Sequence, residues 1–308
     1  MIISASRRTD IPACYAPWLA RRLQEGYVLV RNPYNTRMLS RVPLSPDVVD
    51  GMVLWTKNFT PMLPYLDAIG DIPYYVQYTV TPYGKDIEPG LPEDKIAAFL
   101  QTAERIGWER IVWRYDPIIL TNQYTVEWHI AQFSRMAEVM APSCRRCVIS
   151  FVDMYRSTGR NMAGMQMKTI TQQDMRAIAK AFSGIAADCN LPLATCCETI
   201  DLAEYGIEHN ACIDRGILEE LAGCPLNLQR AKGQREACGC MQSTDIGLYG
   251  TCTNGCRYCY ANDSAAAARK LAAQHDPHSP LLAGTVRPDD IIHPMKAATC
   301  RENQLRMF

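Results

Sequence analysis

The sequence predicts an α/β fold organised as a parallel β/α (TIM-like) barrel, and three observations carry that prediction. Short β-rich runs alternate with helical patterns from the first residue to about 275. Eight such runs can be counted, the number that closes a barrel of this class. No Gly/Ser linker, repeat or low-complexity tract interrupts them. Residues 1–276 therefore read as one domain that includes a strand, loop and helix over 238–274, and 277–308 as an irregular tail packed on it.

The candidate strands are 1–6, 52–57, 73–80, 110–115, 146–152, 193–197, a short one near 211–214, and 244–249. Each is a β-branched or aromatic run of the length a buried parallel strand needs. Between them, Ile96, Phe99, Leu100, Ala103 and Ile106 form an apolar stripe of helical period that stops at Gly107, and Met175, Ile178, Ala179, Phe182 and Ile185 form another. The stretch 27–44 reads as a β-hairpin inserted after the first helix. Pro117 is expected to force the chain out of strand 110–115.

The 308 residues carry 32 basic and 32 acidic side chains. Zero net charge removes any overall electrostatic reason to bind nucleic acid or an anionic membrane, so a small-molecule substrate is the expected partner. No run approaches the roughly 18 apolar residues of a membrane span, and the first eight residues lack the apolar core of a signal peptide. A cytoplasmic location is expected, where the 14 cysteines would stay reduced and point to metal or redox chemistry. Ten of the fourteen run from Cys189 to Cys259.

Nearly every candidate strand ends in polar or charged residues: Arg7, Arg8 and Asp10; Lys57 and Asn58; Thr81 and Tyr83; Arg114 and Asp116; Asp153 and Tyr155; Glu198. In a parallel barrel these ends converge on one mouth, where catalytic groups are placed. Arg7, Arg8, Asp10, Lys57, Arg114, Asp116 and Asp153 are thus the candidate catalytic set. Its cations suit a substrate bearing carboxylate or phosphate. The competing reading is that charges simply mark where strands leave the core.

The most specific signal is Cys252-x3-Cys256-x2-Cys259, directly after a candidate strand and before the Ala-rich helix 264–274. Three thiolates on one loop can hold three irons of a [4Fe-4S] cluster and leave the fourth open. Gly255 lets such a loop turn tightly. The spacing alone arises by chance in about 3% of chains with this cysteine content, so the flanking residues matter.

With Tyr258 just before its last cysteine, the triplet resembles the signature of the radical S-adenosylmethionine (SAM) superfamily. That resemblance implies a β/α barrel, metal ligation by Cys252, Cys256 and Cys259, SAM chelated at the open iron, and reductive cleavage of SAM to a 5′-deoxyadenosyl radical. It also implies an electron donor such as flavodoxin or ferredoxin. Tyr260-Ala261-Asn262 resembles the spore photoproduct lyase branch. A closer likeness spans SASRRTDIP (4–12), WTKN (55–58), QYTVTPYG (77–84), WRYDPI (113–118), SFVDMY (150–155) and the run from CGC to CYAN (238–262). Together these resemble an uncharacterised bacterial family, domain of unknown function number eighteen forty-eight, which implies no substrate.

The superfamily places its cysteine loop after the first strand, whereas here it lies about 50 residues from the C-terminus. A circular permutation, with strand 244–249 beside strand 1–6, would restore the usual order. The Gly-Gly-Glu segment that grips SAM's amino group is absent. Ser4 to Asp10 stand in its place, which makes Ser4 and Ser6, with Tyr258, the cofactor-binding candidates.

The runner-up function is a non-catalytic zinc- or iron-sulfur-binding regulatory or DNA-associated protein, with Cys238-x-Cys240 and Cys256-x2-Cys259 closing a structural zinc site. An auxiliary site is a further expectation: Cys238 and Cys240, Cys196 and Cys212 would meet if adjacent late strands close the barrel, and could hold a second Fe–S cluster or zinc. Cys196 is chosen over Cys197 because the family likeness implies a Cys-x-Glu shape. Cys144-x2-Cys147 reads as incidental surface thiols, the five histidines as solvated or capping residues, and Met165 and Met167 as packing.

Overall fold

A computed structural model describes residues 1–302. Eleven strands and eight α-helices make up its regular structure. The strands are β1 (Ile2–Ala5), β2 (Tyr27–Arg31), β3 (Met38–Pro43), β4 (Gly51–Thr56), β5 (Tyr74–Thr79), β6 (Ile111–Ile118), β7 (Arg146–Phe151), β8 (Leu193–Thr195), β9 (Glu208–His209), β10 (Thr244–Asp245) and β11 (Ile291–Pro294). The helices are α1 (Ile11–Cys14), α2 (Ala16–Glu25), α3 (Lys95–Ile106), α4 (Val126–Met140), α5 (Arg156–Asn161), α6 (Gln172–Asp188), α7 (Arg215–Ala222) and α8 (Ala265–Ala272).

Eight strands form one parallel sheet in the order β10-β1-β4-β5-β6-β7-β8-β9. No ladder joins β9 to β10 among the described residues, so the sheet has two edges and barrel closure is not seen. The seventh strand of the sheet by sequence position is not the one expected: β9 falls at Glu208–His209, and 211–214 is the turn that leads into α7. The 244–249 run shrinks to the two residues of β10, which pair in parallel with β1, Thr244 beside Ile3 and Asp245 beside Ser4.

Side chains alternate along each strand, and the two faces of the sheet divide accordingly. Ile3, Met52, Leu54, Val76, Tyr78, Trp113, Tyr115, Cys147 and Ile149 pack into the main core with residues of α2, α3, α4 and α6. An aromatic stack lies at its centre, with Phe133 and Phe182 centroids 3.9 Å apart and Trp113 5.4 Å from Phe133. The opposite face carries Ile2, Val53, Tyr75, Val112 and Val148, covered by Cys212, Ile213, Ile217, Leu218, Leu226, Leu228 and Cys240. Two positions further along the same strands, that face becomes polar: Ser4, Trp55, Gln77, Arg114 and Ser150. The segment from 212 to 240 therefore floors the space above which these polar groups stand.

Helix starts follow local chemistry. Asp94, Thr125, Asp214 and Ser264 each cap a helix by accepting an N–H of its first turn, and Thr171 with Asp174 forms a capping box before α6. The hairpin of β2 and β3 is as expected, but the tail is not wholly irregular: β11 runs parallel to β3 and completes a three-stranded sheet. Pro117 does not end β6. The strand runs on to Ile118 through a register shift between Tyr115 and Ile118, where the missing proline N–H asks for no partner.

Two further expectations are corrected. Cys144 and Cys147 are core thiols, 5% and 0% exposed, and not surface ones, because alternation turns Cys147 into the apolar face. His129 is buried, with Nδ1 2.8 Å from the Tyr115 hydroxyl and Nε2 2.9 Å from the Ile119 carbonyl. Burial lowers its pKa to about 4. Between the ordinary histidine value near 6.5 and about pH 4, the unfolded chain takes up a proton that the native state refuses, so stability falls as pH falls through that window. In urea unfolding, the stability advantage of wild type over His129→Gln should shrink between pH 7 and pH 5, and a constant gap would contradict this account.

Candidate functional site

The polar ends of the parallel strands surround a cavity of about 610 Å3, within the roughly 300–1,000 Å3 usual for small-molecule sites. It lies at the C-terminal edge of the sheet, where parallel strands place their ligand-binding loops. Arg7, Arg8, Asp10, Lys57, Arg114, Asp116 and Asp153 all line it, as do Cys252, Cys256, Tyr258 and Cys259. Ser6 lines it too, whereas Ser4 lies beneath, because β1 is still pairing there. Thr81 and Tyr83 are absent from the wall: Thr81 donates to Glu88, and Tyr83 packs against Tyr124 and Trp128.

The cysteine loop is pinned from several sides. Tyr15 donates its hydroxyl to the Thr251 carbonyl at 2.6 Å, Asn262 reaches the Cys252 carbonyl at 2.7 Å, and Arg257 N–H reaches the Ile87 carbonyl at 3.0 Å. Gly255 takes the left-handed φ of +69° that its turn requires. Gly90 donates to the Asn254 carbonyl at 2.9 Å, so close that a Cβ at position 90 would stand 2.5 Å from that oxygen. Cys252 and Cys256 are buried and Cys259 is half-buried. The Cys14 thiol lies beside Cys252, with its sulfur 3.4 Å from the Thr253 hydroxyl.

Asp10 is not a free acid. It accepts from Thr56 Oγ1 at 2.7 Å, Lys57 N at 2.8 Å, Asn254 Nδ2 at 2.9 Å and Ala13 N at 3.0 Å. Its burial raises its pKa, and those donors pull the other way. It ties β1, β4 and the cysteine loop together.

Glu88, which sequence reasoning missed, holds the next tier. It is 1% exposed and receives Lys57 Nζ at 2.8 Å, Lys95 Nζ at 2.7 Å, Thr81 Oγ1 at 2.8 Å and the Tyr258 hydroxyl. Burial opposes its ionisation, but the two ammonium groups win and hold its pKa at about 2. Burial would likewise lower the Lys57 pKa, yet Glu88 and the Cys256 sulfur raise it. A fixed cation thus stands beside Cys256, 5.3 Å from the Tyr258 ring centre.

Asp245 is the second missed residue, read only as part of a strand. It accepts from Ser4 Oγ at 2.9 Å, Ser6 Oγ at 2.6 Å, Arg7 N at 2.9 Å and Gly247 N at 3.0 Å. Both serine hydroxyls are therefore donated internally, which fixes the backbone of residues 4–8 and leaves the Arg7 side chain to the cavity, while Arg8 pairs with Asp245 at 3.8 Å and lies over the Tyr249 ring. Arg7 lies over the Trp55 ring at 5.9 Å, and Arg114 over the same ring at 5.5 Å. Among the described residues Arg7 has no acidic partner. Arg114 pairs with Asp116, which also accepts from Ser150, and Asp153 pairs with Arg235 at 2.7 Å on the exposed rim. Glu198 accepts from Phe151 N at 2.9 Å; burial and the nearby Asp153 and Asp116 raise its pKa to about 7.

Cys196, Cys212, Cys238 and Cys240 also line the cavity. Cys240 is partnered by Cys212 and Cys238, while Cys256 neighbours Cys259 and Lys57, so the structure does not bring together the Cys238/Cys240 and Cys256/Cys259 pairs of a closed zinc site. Among the described residues no three His, Cys, Asp or Glu side chains are disposed to hold one metal ion. A cubane asks for something else, one thiolate per iron, and the cavity-facing Cys252, Cys256 and Cys259 fit that donor set. No helix is long and apolar enough to cross a membrane.

The family described as a domain of unknown function, DUF1848, matches residues 2–261, and the chain belongs to it. No curated protein is significantly similar to the chain.

Because Asp245 satisfies four donors at the seam between β10 and β1, Asp245→Ala should cost about 2 kcal/mol or more by leaving them unpaired. Urea unfolding measures this, and a variant as stable as wild type would show that water replaces the carboxylate without loss.

Proposed function

We propose that this protein is a radical SAM enzyme acting on a small anionic substrate, built on a circularly permuted form of the superfamily's barrel. The observation that supports it most is the juxtaposition of Cys252, Cys256 and Cys259 with Arg7 and the other strand-end cations around one cavity. The parallel pairing of β10 with β1 supports the permutation, since it sets the strand before the cysteine loop beside the strand that opens the chain.

When bound, a [4Fe-4S] cluster with an open iron would chelate the amino and carboxylate groups of SAM and deliver the electron that cleaves it. The chain's own residues shape the surroundings. Lys57, kept charged by Glu88, offsets negative charge on the Cys256 sulfur and presents a cation to the cavity. Lys57, Glu88 and Tyr258 are linked, so the loop cannot rotate without breaking the Tyr258 hydrogen bond to a buried ion pair.

Arg7, which lies over the Trp55 ring, offers a guanidinium fork to a carboxylate or phosphate. Arg114 is oriented by Asp116 and Gln77. Glu198, with a pKa of about 7, can hold or release a proton at the cavity wall.

The test is anaerobic reconstitution with iron and sulfide, followed by reduction with SAM present. Wild type is expected to release 5′-deoxyadenosine, and Cys252→Ala/Cys256→Ala/Cys259→Ala is expected to release none. Equal SAM cleavage by wild type and the triple variant, or none by an iron-loaded wild type, would overturn the proposal. Arg7→Ala should leave cluster iron unchanged and cut turnover of a bound anionic substrate by about tenfold or more, the loss of one charge-assisted contact.

A further inference from the structure

We infer that Cys196 and Cys212 form a redox-active dithiol that reduces a small anionic disulfide entering the cavity. The two cysteines come from separate segments, the turn after β8 and the turn after β9, and their sulfurs are 3.2 Å apart. Both are free thiols, and both line the cavity. A disulfide bond is about 2 Å long, so the sulfurs need approach by only about 1 Å to close one. The contact is too short for two thiolates on separate irons and suits a bond between the sulfurs themselves. Cys144 and Cys147 show the contrast: they are buried in the apolar core, Cys144 donates only to the backbone carbonyls of Met140 and Ala141, and neither lines the cavity.

Exposure gives the two sulfurs different parts. Cys196 is half-buried, whereas Cys212 is 4% exposed, so an incoming disulfide meets Cys196 first. The Cys196 thiolate attacks one sulfur of that disulfide, forms a mixed disulfide and expels the other half. Cys212 then attacks the Cys196 sulfur, which closes the protein disulfide and expels the second half. Two protein thiols are oxidised, one small disulfide is reduced to two thiols, and the protons lost by the cysteines end on the two leaving groups. The buried sulfur is assisted in its step: Arg114 Nη1 lies 3.0 Å and Asn210 Nδ2 3.6 Å from it, and a guanidinium at that position stabilises a thiolate.

The direction of exchange follows from the same surroundings. The Cys196 hydrogen bond lowers the Cys212 pKa, but the Cys240 thiol and burial outweigh it and leave it at about 11; that bond and burial also hold Cys196 well above the ordinary thiol value. The pair therefore rests as a dithiol. A thiol of raised pKa is deprotonated less often but is the stronger nucleophile once it is, and a mixed disulfide breaks toward the leaving group of lower pKa, here the small thiol. Both effects favour oxidation of the protein and reduction of the small disulfide. The preference for an anion comes from Arg7, which has no acidic partner among the described residues and lies over the same Trp55 ring as Arg114, the cation that touches Cys212. Neither cysteine belongs to the motif triplet, so the inference does not rest on the SAM reading.

The test mixes the reduced full chain, freed of reductant under nitrogen, with oxidised glutathione. Wild type should release two glutathione molecules per chain and gain a disulfide between Cys196 and Cys212, identified by mass spectrometry after cleavage at Glu198, which lies between them in the sequence. Cys212→Ser should release one and keep the other as a stable mixed disulfide on Cys196, whereas Cys197→Ser should behave as wild type. Cystamine, a cationic disulfide, should react about tenfold or more slowly than oxidised glutathione, and Arg7→Ala should remove most of that preference. Far-UV melts of the serine variants like that of wild type show that loss of reaction is not unfolding, and the bond formed in wild type decides the matter without them. The inference is overturned if wild type keeps both thiols reduced in excess oxidised glutathione, if Cys212 links instead to Cys238 or Cys240, or if cystamine reacts as fast. Cys252→Ala/Cys256→Ala/Cys259→Ala should close the same disulfide, so failure of the SAM reading leaves this result intact.

Discussion

The architecture depends on one short seam. β10 contributes only Thr244 and Asp245 to the sheet, yet that two-residue ladder joins the last part of the chain to the first strand. Two backbone pairs are too few to hold it alone, and the Asp245 carboxylate does the rest by gathering Ser4, Ser6, the Arg7 amide and the Gly247 amide. Gly247 is required for this approach, since a Cβ there would lie 2.1 Å from the Ser6 hydroxyl. The seam brings residues about 240 positions apart into contact, and everything on the cysteine loop is positioned from it.

From that seam two further ties reach the loop. Asp10 links β1 and β4 to Asn254, and Glu88 links Lys57, Lys95 and Tyr258. Each buried carboxylate meets several donors, the arrangement in which a buried charge is tolerated. Asp10 is satisfied largely by neutral hydroxyl, amide and backbone donors, so burial still raises its pKa; Glu88 faces two ammonium groups and stays ionised. Two acids of similar burial thus differ in electrostatic role, one a latch held by neutral donors and the other the counter-ion that keeps Lys57 charged beside Cys256. Around them, the cations on Trp55 leave the cavity with Arg7 unbalanced among the described residues, a reason for an anion to enter.

The two groups of cysteines share this cavity but not their surroundings. The triplet sits on a loop whose backbone is tied by hydrogen bonds to Tyr15, Asn262 and the 87–90 turn, whereas Cys196, Cys212, Cys238 and Cys240 gather where the floor segment meets the sheet. Arg114 is common to both regions: one end of its guanidinium meets Asp116 and the other the Cys212 sulfur. Any change in charge at Cys212 is therefore felt by the cation that helps line the cavity.

Much of this was legible without coordinates. Six of the eight sheet strands sit where β-rich runs predicted them within a few residues, because a parallel strand buried on both faces must be apolar at nearly every position. The Cys-x3-Cys-x2-Cys spacing and the polar strand ends followed from local order alone, and so did their common location, since parallel strands all point their C-termini the same way. Other features were not written locally. Glu88 and Asp245 look like ordinary acids in a loop and at a strand end; what makes them hubs is the set of partners that converge from distant segments. His129 and Cys147 read as polar or incidental until the sheet and α4 enclosed them. Whether the eight strands close, where the short ninth strand forms, and that β11 returns to the hairpin depend on long-range pairing, whose free energy is set by which edges meet and not by the composition of either partner.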